Sequence, residues 1–245
     1  MIQNKPNQKT EKKDPAWRSR GALEGPMRVA NRMHLRATGL NDEAIAKPFV
    51  GVVHTHSEVS PCAMSLAPQA AAAKIGVEVA GATAREFSTI SISDIWTLVH
   101  EHGPQYSLIS RELIADSVEL VLQGQRYDAA VTLGACDKTV PGMLMAMTRV
   151  NIPGVYVHGG AALRGWNNGE LIDFYRVFGD MDRALSGQIS ESELEELNKD
   201  AMVTVGTCPG LNTASTGASC AEIMGFTALG TTSIPAVFSQ RLSLA

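Results

Sequence analysis

The chain has 245 residues, 44% of them hydrophobic and 19% charged, with a formal net charge of −4 and a sequence pI near 5.9. That is enough apolar material for one large core or two small ones, and the near-neutral balance offers no basic face for nucleic acid. No apolar run reaches the roughly 18 residues of a membrane span, since Lys74 and Glu78 interrupt the richest stretch. Four cysteines in a chain of this size, with no C-x-x-C pair, make neither a disulfide framework nor a zinc knuckle. Reduced thiols and a cytoplasmic location are expected.

Residues 1–14 are polar, carry several lysines with Glu11 and Asp14, and read as a disordered tail rather than a targeting signal. From residue 15 onward strand-like and helix-like segments alternate. This predicts an α/β fold, a three-layer domain with a mostly parallel sheet flanked by helices. Residues 49–53 read as a strand that leads to His54, His56 and Ser57, which either line a pocket or simply end the strand. The alanine-rich run 67–79 reads as a helix, and 86–92 as extended. Ser110 is placed to cap a helix over 111–123, whose Leu113, Ile114, Val118, Val121 and Leu122 mark one apolar face.

Residues 128–135 read as a short buried strand, and Pro141-Gly142 as a turn into a helix over 143–149. A further strand over 155–157 ends in Gly159-Gly160. Ser190 with Glu193 forms a capping-box start for a helix ending near Met202. A glycine-rich loop, 206–210, follows; with Gly159-Gly160 it offers backbone N–H groups to an anionic carboxylate. The run 213–224 is helical, with Cys220 expected in the core, and Pro235 opens an amphipathic helix over 236–245.

The chemistry concentrates at Cys136-Asp137-Lys138, a soft thiolate, a hard carboxylate and an amine at a strand-to-helix junction. Thiolate suits iron or zinc, whereas carboxylate suits magnesium or manganese. Neighbouring side chains of an extended segment point in opposite directions, so Cys136 and Asp137 could serve two metals across one crevice. Ligands of open α/β sheets collect beyond the carboxyl ends of strands, where this triplet falls. Cys62 and Cys208 also lie in loops at element ends, so a three-cysteine site gathered from distant loops is possible.

The stretch Cys136-Asp137-Lys138-Thr139-Val140-Pro141-Gly142-Met143-Leu144-Met145-Ala146 resembles the signature of the dihydroxy-acid dehydratase and phosphogluconate dehydratase family. Val59-Ser60-Pro61-Cys62-Ala63-Met64-Ser65-Leu66 and Gly206-Thr207-Cys208-Pro209-Gly210 match it in the same order, and the likeness extends over nearly the whole chain after the first dozen residues. The resemblance implies that Cys62, Cys136 and Cys208 hold an iron–sulfur cluster, 2Fe–2S or 4Fe–4S, with one iron open to substrate. It implies Mg2+ on Asp94, Asp137 and Lys138, the lysine in carbamylated form; the alternative for Lys138 is a salt bridge with Asp137. The implied reaction is a hydro-lyase step, loss of water from a 2,3-dihydroxy carboxylic acid to give a 2-keto acid. The substrate would come from branched-chain amino acid biosynthesis or, alternatively, be a sugar acid.

The resemblance further implies that residues 15–245 form the N-terminal, cluster-binding domain of a homodimeric enzyme. A β-barrel-like C-terminal domain, the proton-abstracting serine and a magnesium-binding glutamate would all lie beyond this sequence, leaving the chain alone poorly active. One segment departs from the family pattern. Asp94 is followed by Ile95-Trp96 where a glycine is usual, and the loop reaching Gln105 is bulkier, which predicts a misshapen backbone. Glu101 is a weaker substitute ligand, and His100 and His102 read as exposed loop residues. A non-catalytic degenerate fragment and, more remotely, a zinc hydrolase are the competing readings.

Overall fold

The computed structural model describes residues 17–245, so the tail expected over 1–14 lies outside the described residues. Four strands, β1 (Phe49–His54), β2 (Thr83–Ser88), β3 (Ala129–Gly134) and β4 (Gly154–His158), form an all-parallel sheet in the order β2-β1-β3-β4. Twelve α-helices and a 3-10 turn (Pro26–Arg28) accompany them among the described residues: α1 (Arg20–Leu23), α2 (Val29–Ala37), α3 (Asp42–Ala46), α4 (Pro61–Met64), α5 (Leu66–Val79), α6 (Asp94–Thr97), α7 (Gly103–Gly124), α8 (Thr139–Val150), α9 (Phe174–Leu185), α10 (Glu191–Ala201), α11 (Thr213–Ile223) and α12 (Gln240–Leu244). A small antiparallel ribbon of β5 (Gly165–Asn167) and β6 (Glu170–Ile172) precedes α9.

Period-2 alternation along the strands divides their side chains between two cores. Phe49, Val53, Ala130 and Tyr156 face a core built with Ile114, Val118 and Leu122 of α7 and Val140, Met143 and Met147 of α8. Val52, Val131, Leu133 and Val157 face the other, built with Leu66, Ala70 and Ala73 of α5 and including Cys62 and Cys136. Both faces of the sheet are therefore covered, which gives the three expected layers and explains the near-continuous apolar strands. At Gly51 a methyl group would stand 2.7 Å from Leu122 Cδ2, so the close approach of α7 to β1 depends on glycine there.

From β1 the chain crosses to β2 at one edge, and from β2 to β3 on the other side of β1. Strand order therefore reverses between β1 and β3, the place where α/β folds open a crevice at the carboxyl ends of their strands. Cys62 follows β1 and Cys136 follows β3.

Several local expectations are corrected. The extended segment read over 86–92 is the strand Thr83–Ser88, its start fixed by the parallel register of Phe49 against Thr83. Helix α7 begins at Gly103, with Pro104 in its first turn, so Ser110 is an interior, buried residue rather than a cap. Its hydroxyl donates back to the Ser107 carbonyl at 2.6 Å, the way serine is accommodated inside helices. Residues 236–245 are helical only over Gln240–Leu244. Cys220 is exposed, not core, because α11 buries the Ala214, Ala218 and Ala221 stripe and carries Cys220 off it. The capping box at Ser190 is present as read, with Glu193 N–H donating to Ser190 Oγ and the Glu193 carboxylate accepting from Ser190 N–H.

Candidate functional site

Cys136 sits two residues beyond the end of β3, and its position is set locally. The backbone N–H groups of Ala135 and Cys136 both donate to Thr139 Oγ1, at 3.1 and 2.8 Å, while that hydroxyl donates to the Cys136 carbonyl at 3.1 Å. The first turn of α8 thus holds the thiol-bearing residue rigidly. Its Sγ points at the Ile92 carbonyl, 3.8 Å away in the segment leading to α6. Cys62 lies in α4, a single turn opened by Pro61 just after β1. Cys208 comes from the loop between α10 and α11, whose Gly206 N–H donates to the Pro61 carbonyl at 2.9 Å.

All three cysteines, 62, 136 and 208, line one cavity of about 160 Å³ together with Ser93, Asp94, Ile95, Asp137, Phe174 and Asn212. Cys62 and Cys136 are buried and Cys208 is half-buried. Their ionisations are linked. Hydrogen bonding to the sulfurs of Cys136 and Cys208, reinforced by burial, holds the Cys62 thiol well above its ordinary pKa. The same bonds from Cys62 pull Cys136 and Cys208 below theirs, against the effect of burial. Three thiols sharing protons in this way mark a place where a positive group would favour full thiolate formation.

The carboxylates occupy the adjoining wall. Lys138 Nζ lies 3.1 Å from Asp137 Oδ2 and 3.3 Å from Asp94 Oδ1, and Ser107 Oγ also donates to Asp94 Oδ1. Burial weakens the lysine ammonium, yet the hydrogen bond to Asp137 and the charge of Asp94 outweigh it, and the net shift of its pKa is upward. Asp94 Oδ2, Asp137 Oδ1 and Asn212 Nδ2 are buried with no hydrogen-bond partner. Orphaned buried carboxylate oxygens are costly, and a hard cation is the group whose arrival would satisfy them. Among the described residues no group of three His, Cys, Asp or Glu side chains is arranged to hold a single metal ion. Three thiols lining one cavity are the donor set that an iron–sulfur cluster takes.

The residues singled out from sequence thus divide. Cys62, Asp94, Cys136, Asp137 and Cys208 line the cavity, with Lys138 bonded to both of its carboxylates. His54 does not line it: its Nε2 pairs with Glu86 at 3.0 Å, so it ends the strand in a separate polar cluster with Lys74. Glu101 is exposed and pairs with His102. Ile95 lies in helical α6, and the left-handed residue of this loop is His102, at φ 59°; the backbone problem expected at Ile95 does not arise. Sequence reasoning missed Ser107, Phe174 and Asn212. Ser107 is 13 residues from Asp94, and only the packing of α7 against α6 brings them together.

The arrangement defines a class before it defines a family: a doubly covered parallel α/β sheet with a thiol- and carboxylate-lined crevice at the point where strand order reverses. Residues 47–245 match the family model described as "Dihydroxy-acid/6-phosphogluconate dehydratase N-terminal", and the chain belongs to that family. It is 43% identical over 230 residues to "Dihydroxy-acid dehydratase 3" of Bradyrhizobium diazoefficiens, covering 93% of this chain and 39% of that protein. It is 43% identical over 228 residues to "Dihydroxy-acid dehydratase 2" of Bordetella bronchiseptica, covering 93% and 40%. Against the "Dihydroxy-acid dehydratase" of Haloarcula marismortui it is 40% identical over 240 residues, covering 98% and 42%. The chain spans about two fifths of the length of these relatives. No helix among the described residues is long and apolar enough to cross a membrane.

Proposed function

We propose that this chain forms the cluster- and magnesium-binding part of a hydro-lyase that converts a 2,3-dihydroxy carboxylic acid to a 2-keto acid. The observation that carries this reading is one cavity lined by Cys62, Cys136 and Cys208 and bordered by orphaned oxygens of Asp94 and Asp137. Cys62, Cys136 and Cys208 would hold an iron–sulfur cluster, and Asp94, Asp137 and Lys138 a magnesium ion. When bound, these groups supply Lewis acidity toward the leaving hydroxyl and toward the carboxylate and C2 oxygen.

This chain's own residues contribute positioning. Thr139 fixes the Cys136 backbone, so one wall of the cavity is preorganised. Lys138 bridges Asp94 and Asp137 and holds both carboxylates on the same side. In its unmodified form it remains an ammonium at neutral pH; carbamylation would convert this clamp from a cation into an additional oxygen ligand. Phe174 and Ile95 add apolar lining beside the thiols.

A second, apolar groove shares Cys62, Ser93, Ile95 and Cys208 with the cavity and adds Val59, Trp96, Val99 and Met202. An alkyl substituent suits such a surface better than a string of hydroxyls does. This favours the 2,3-dihydroxy-isovalerate type of substrate, and with it branched-chain amino acid biosynthesis, over a sugar acid. The deciding experiment is iron and acid-labile sulfide content after anaerobic purification. A brown protein with iron and sulfide in cluster proportion is expected, whereas a colourless protein with three titratable thiols at these positions would defeat the reading. Asp137→Asn is expected to weaken magnesium binding about tenfold or more, read by calorimetry.

A further inference from the structure

Arg241 is the largest of the fully buried side chains, yet it lies outside the cavity. Its guanidinium is spent on backbone carbonyls. Nε donates to Ile234 at 2.8 Å, Nη1 to His158 at 2.9 Å, and Nη2 to Thr232 at 3.1 Å and again to Ile234. Burying a charged group for three carbonyls is costly, which asks what the arrangement secures. Glu222 of α11 lies near enough to support the charge and is tied to the same segment through Thr232 N–H and Oγ1, both at 2.6 Å, and Gly230 N–H at 3.0 Å.

The segment it clamps, 232–236, runs along the loop that follows β4. Ala236 N–H donates to the Ala161 carbonyl at 2.8 Å. Ala161 in turn forms a parallel bridge with Thr207, closed by Thr207 N–H to Gly160 O at 2.9 Å and Ala162 N–H to Thr207 O at 2.8 Å. The next residue is Cys208. These loop segments touch with no slack. At Gly160, φ +92°, a methyl group would meet Arg241 Nε at 2.6 Å; at Gly206, φ +131°, it would meet Ala162 N at 2.4 Å. Both positions need a glycine, for the left-handed backbone and for the space.

We propose that Arg241 is a positioning residue for the Cys208 thiol, acting through the 232–236 segment and the Ala161–Thr207 bridge. Its functional meaning rests on the reading of Cys208 as a cluster ligand, but the coupling itself does not. Cys136 provides an internal reference because its own junction, through Thr139, holds it independently.

The test uses the 245-residue chain and its variants Arg241→Gln, Arg241→Lys and Ala236→Pro. The last removes the Ala236 N–H bond while leaving the arginine in place. Site-resolved alkylation by iodoacetamide, read by mass spectrometry, gives the rate at Cys208 relative to Cys136. With folding verified by circular dichroism, Arg241→Gln and Ala236→Pro are expected to raise that ratio about fivefold or more, since local opening governs access to a half-buried thiol. Arg241→Lys should give a smaller rise. A ratio within about twofold of the unsubstituted chain, or a parallel rise at both cysteines, would overturn the proposal as a general loss of stability does. Hydrogen exchange on the unsubstituted chain needs no variant to fold: the Ala236, Ala162 and Thr207 amides should open together, and Thr207 opening about tenfold more readily than Ala236 would also overturn it. Iron content reports on the cluster reading alone, so the two can fail separately.

Discussion

Cys136 and Cys208 line the same cavity but are held in opposite ways. Cys136 is fixed within four residues, by the end of β3, the start of α8 and one threonine hydroxyl. Cys208 sits in a loop whose hydrogen bonds run to Pro61, to Gly160 and Ala162 and, through Ala161, to a segment clamped by Arg241. The first arrangement is a local motif and the second is a tertiary one. A site built from both couples rigid chemistry on one wall to the integrity of the whole domain on the other.

The largest expected effect comes from removing the locally held thiol. Cys136→Ser should lower bound iron and sulfide about tenfold or more, because a hard hydroxyl is a poor substitute for thiolate on iron; retention of iron at the original level would show that Cys136 is not a ligand. Thr139→Val sharpens the comparison by leaving two buried N–H groups unpaired. A loss of about 1–3 kcal/mol is expected, measured by urea unfolding, with alkylation of Cys136 accelerated more than that of Cys208. An unchanged Cys136 rate would mean that its junction is not what holds it.

On the remote side, pH is the probe. His158, whose carbonyl Arg241 engages, is buried; burial first, and then the charge of Arg241, push its pKa down to about 3 from 6.5. A neutral ring adds no pH dependence above 6.5. Below that, the unfolded chain takes up a proton that the folded chain refuses, so stability falls progressively as pH drops toward 3. At pH 4.5 this one group accounts for a loss on the order of 3 kcal/mol. His158→Gln should remove that part of the acid sensitivity in unfolding curves taken at pH 7 and pH 4.5; an identical acid slope in the variant would contradict it. The smallest effect is expected at Ser190→Ala, a helix cap that does not line the cavity. It should cost about 1 kcal/mol by thermal unfolding and leave the ratio of Cys208 to Cys136 alkylation unchanged.

The legibility of the molecule follows the same division. The strand before Cys136 and the capping box at Ser190 were readable because each is settled by residues within one or two turns of chain; the helix after Cys136 was readable too, but it begins at Thr139, so Pro141 and Gly142 lie inside it rather than in a turn before it. The three cysteine positions were readable because each sits in its own short motif. Ser110 misled as a cap because capping residues also occur inside helices when packing favours it. Cys220 misled because a small apolar helix leaves its buried stripe undecided until a neighbour, here α8, selects a face.

By itself the sequence determined the alternation of strands and helices, the family, and which short motifs place thiol and carboxylate side chains at the ends of elements, since local propensity and short-range spacing are written along the chain. Only the tertiary structure decided that sulfurs from positions 62, 136 and 208 share one cavity, that Ser107 and Lys138 meet at Asp94, and that a buried arginine at position 241 holds the His158 carbonyl at the end of β4. Those contacts join residues 13 to 146 positions apart, and such pairs are fixed by the packing of layers and the reversal of strand order rather than by any local preference.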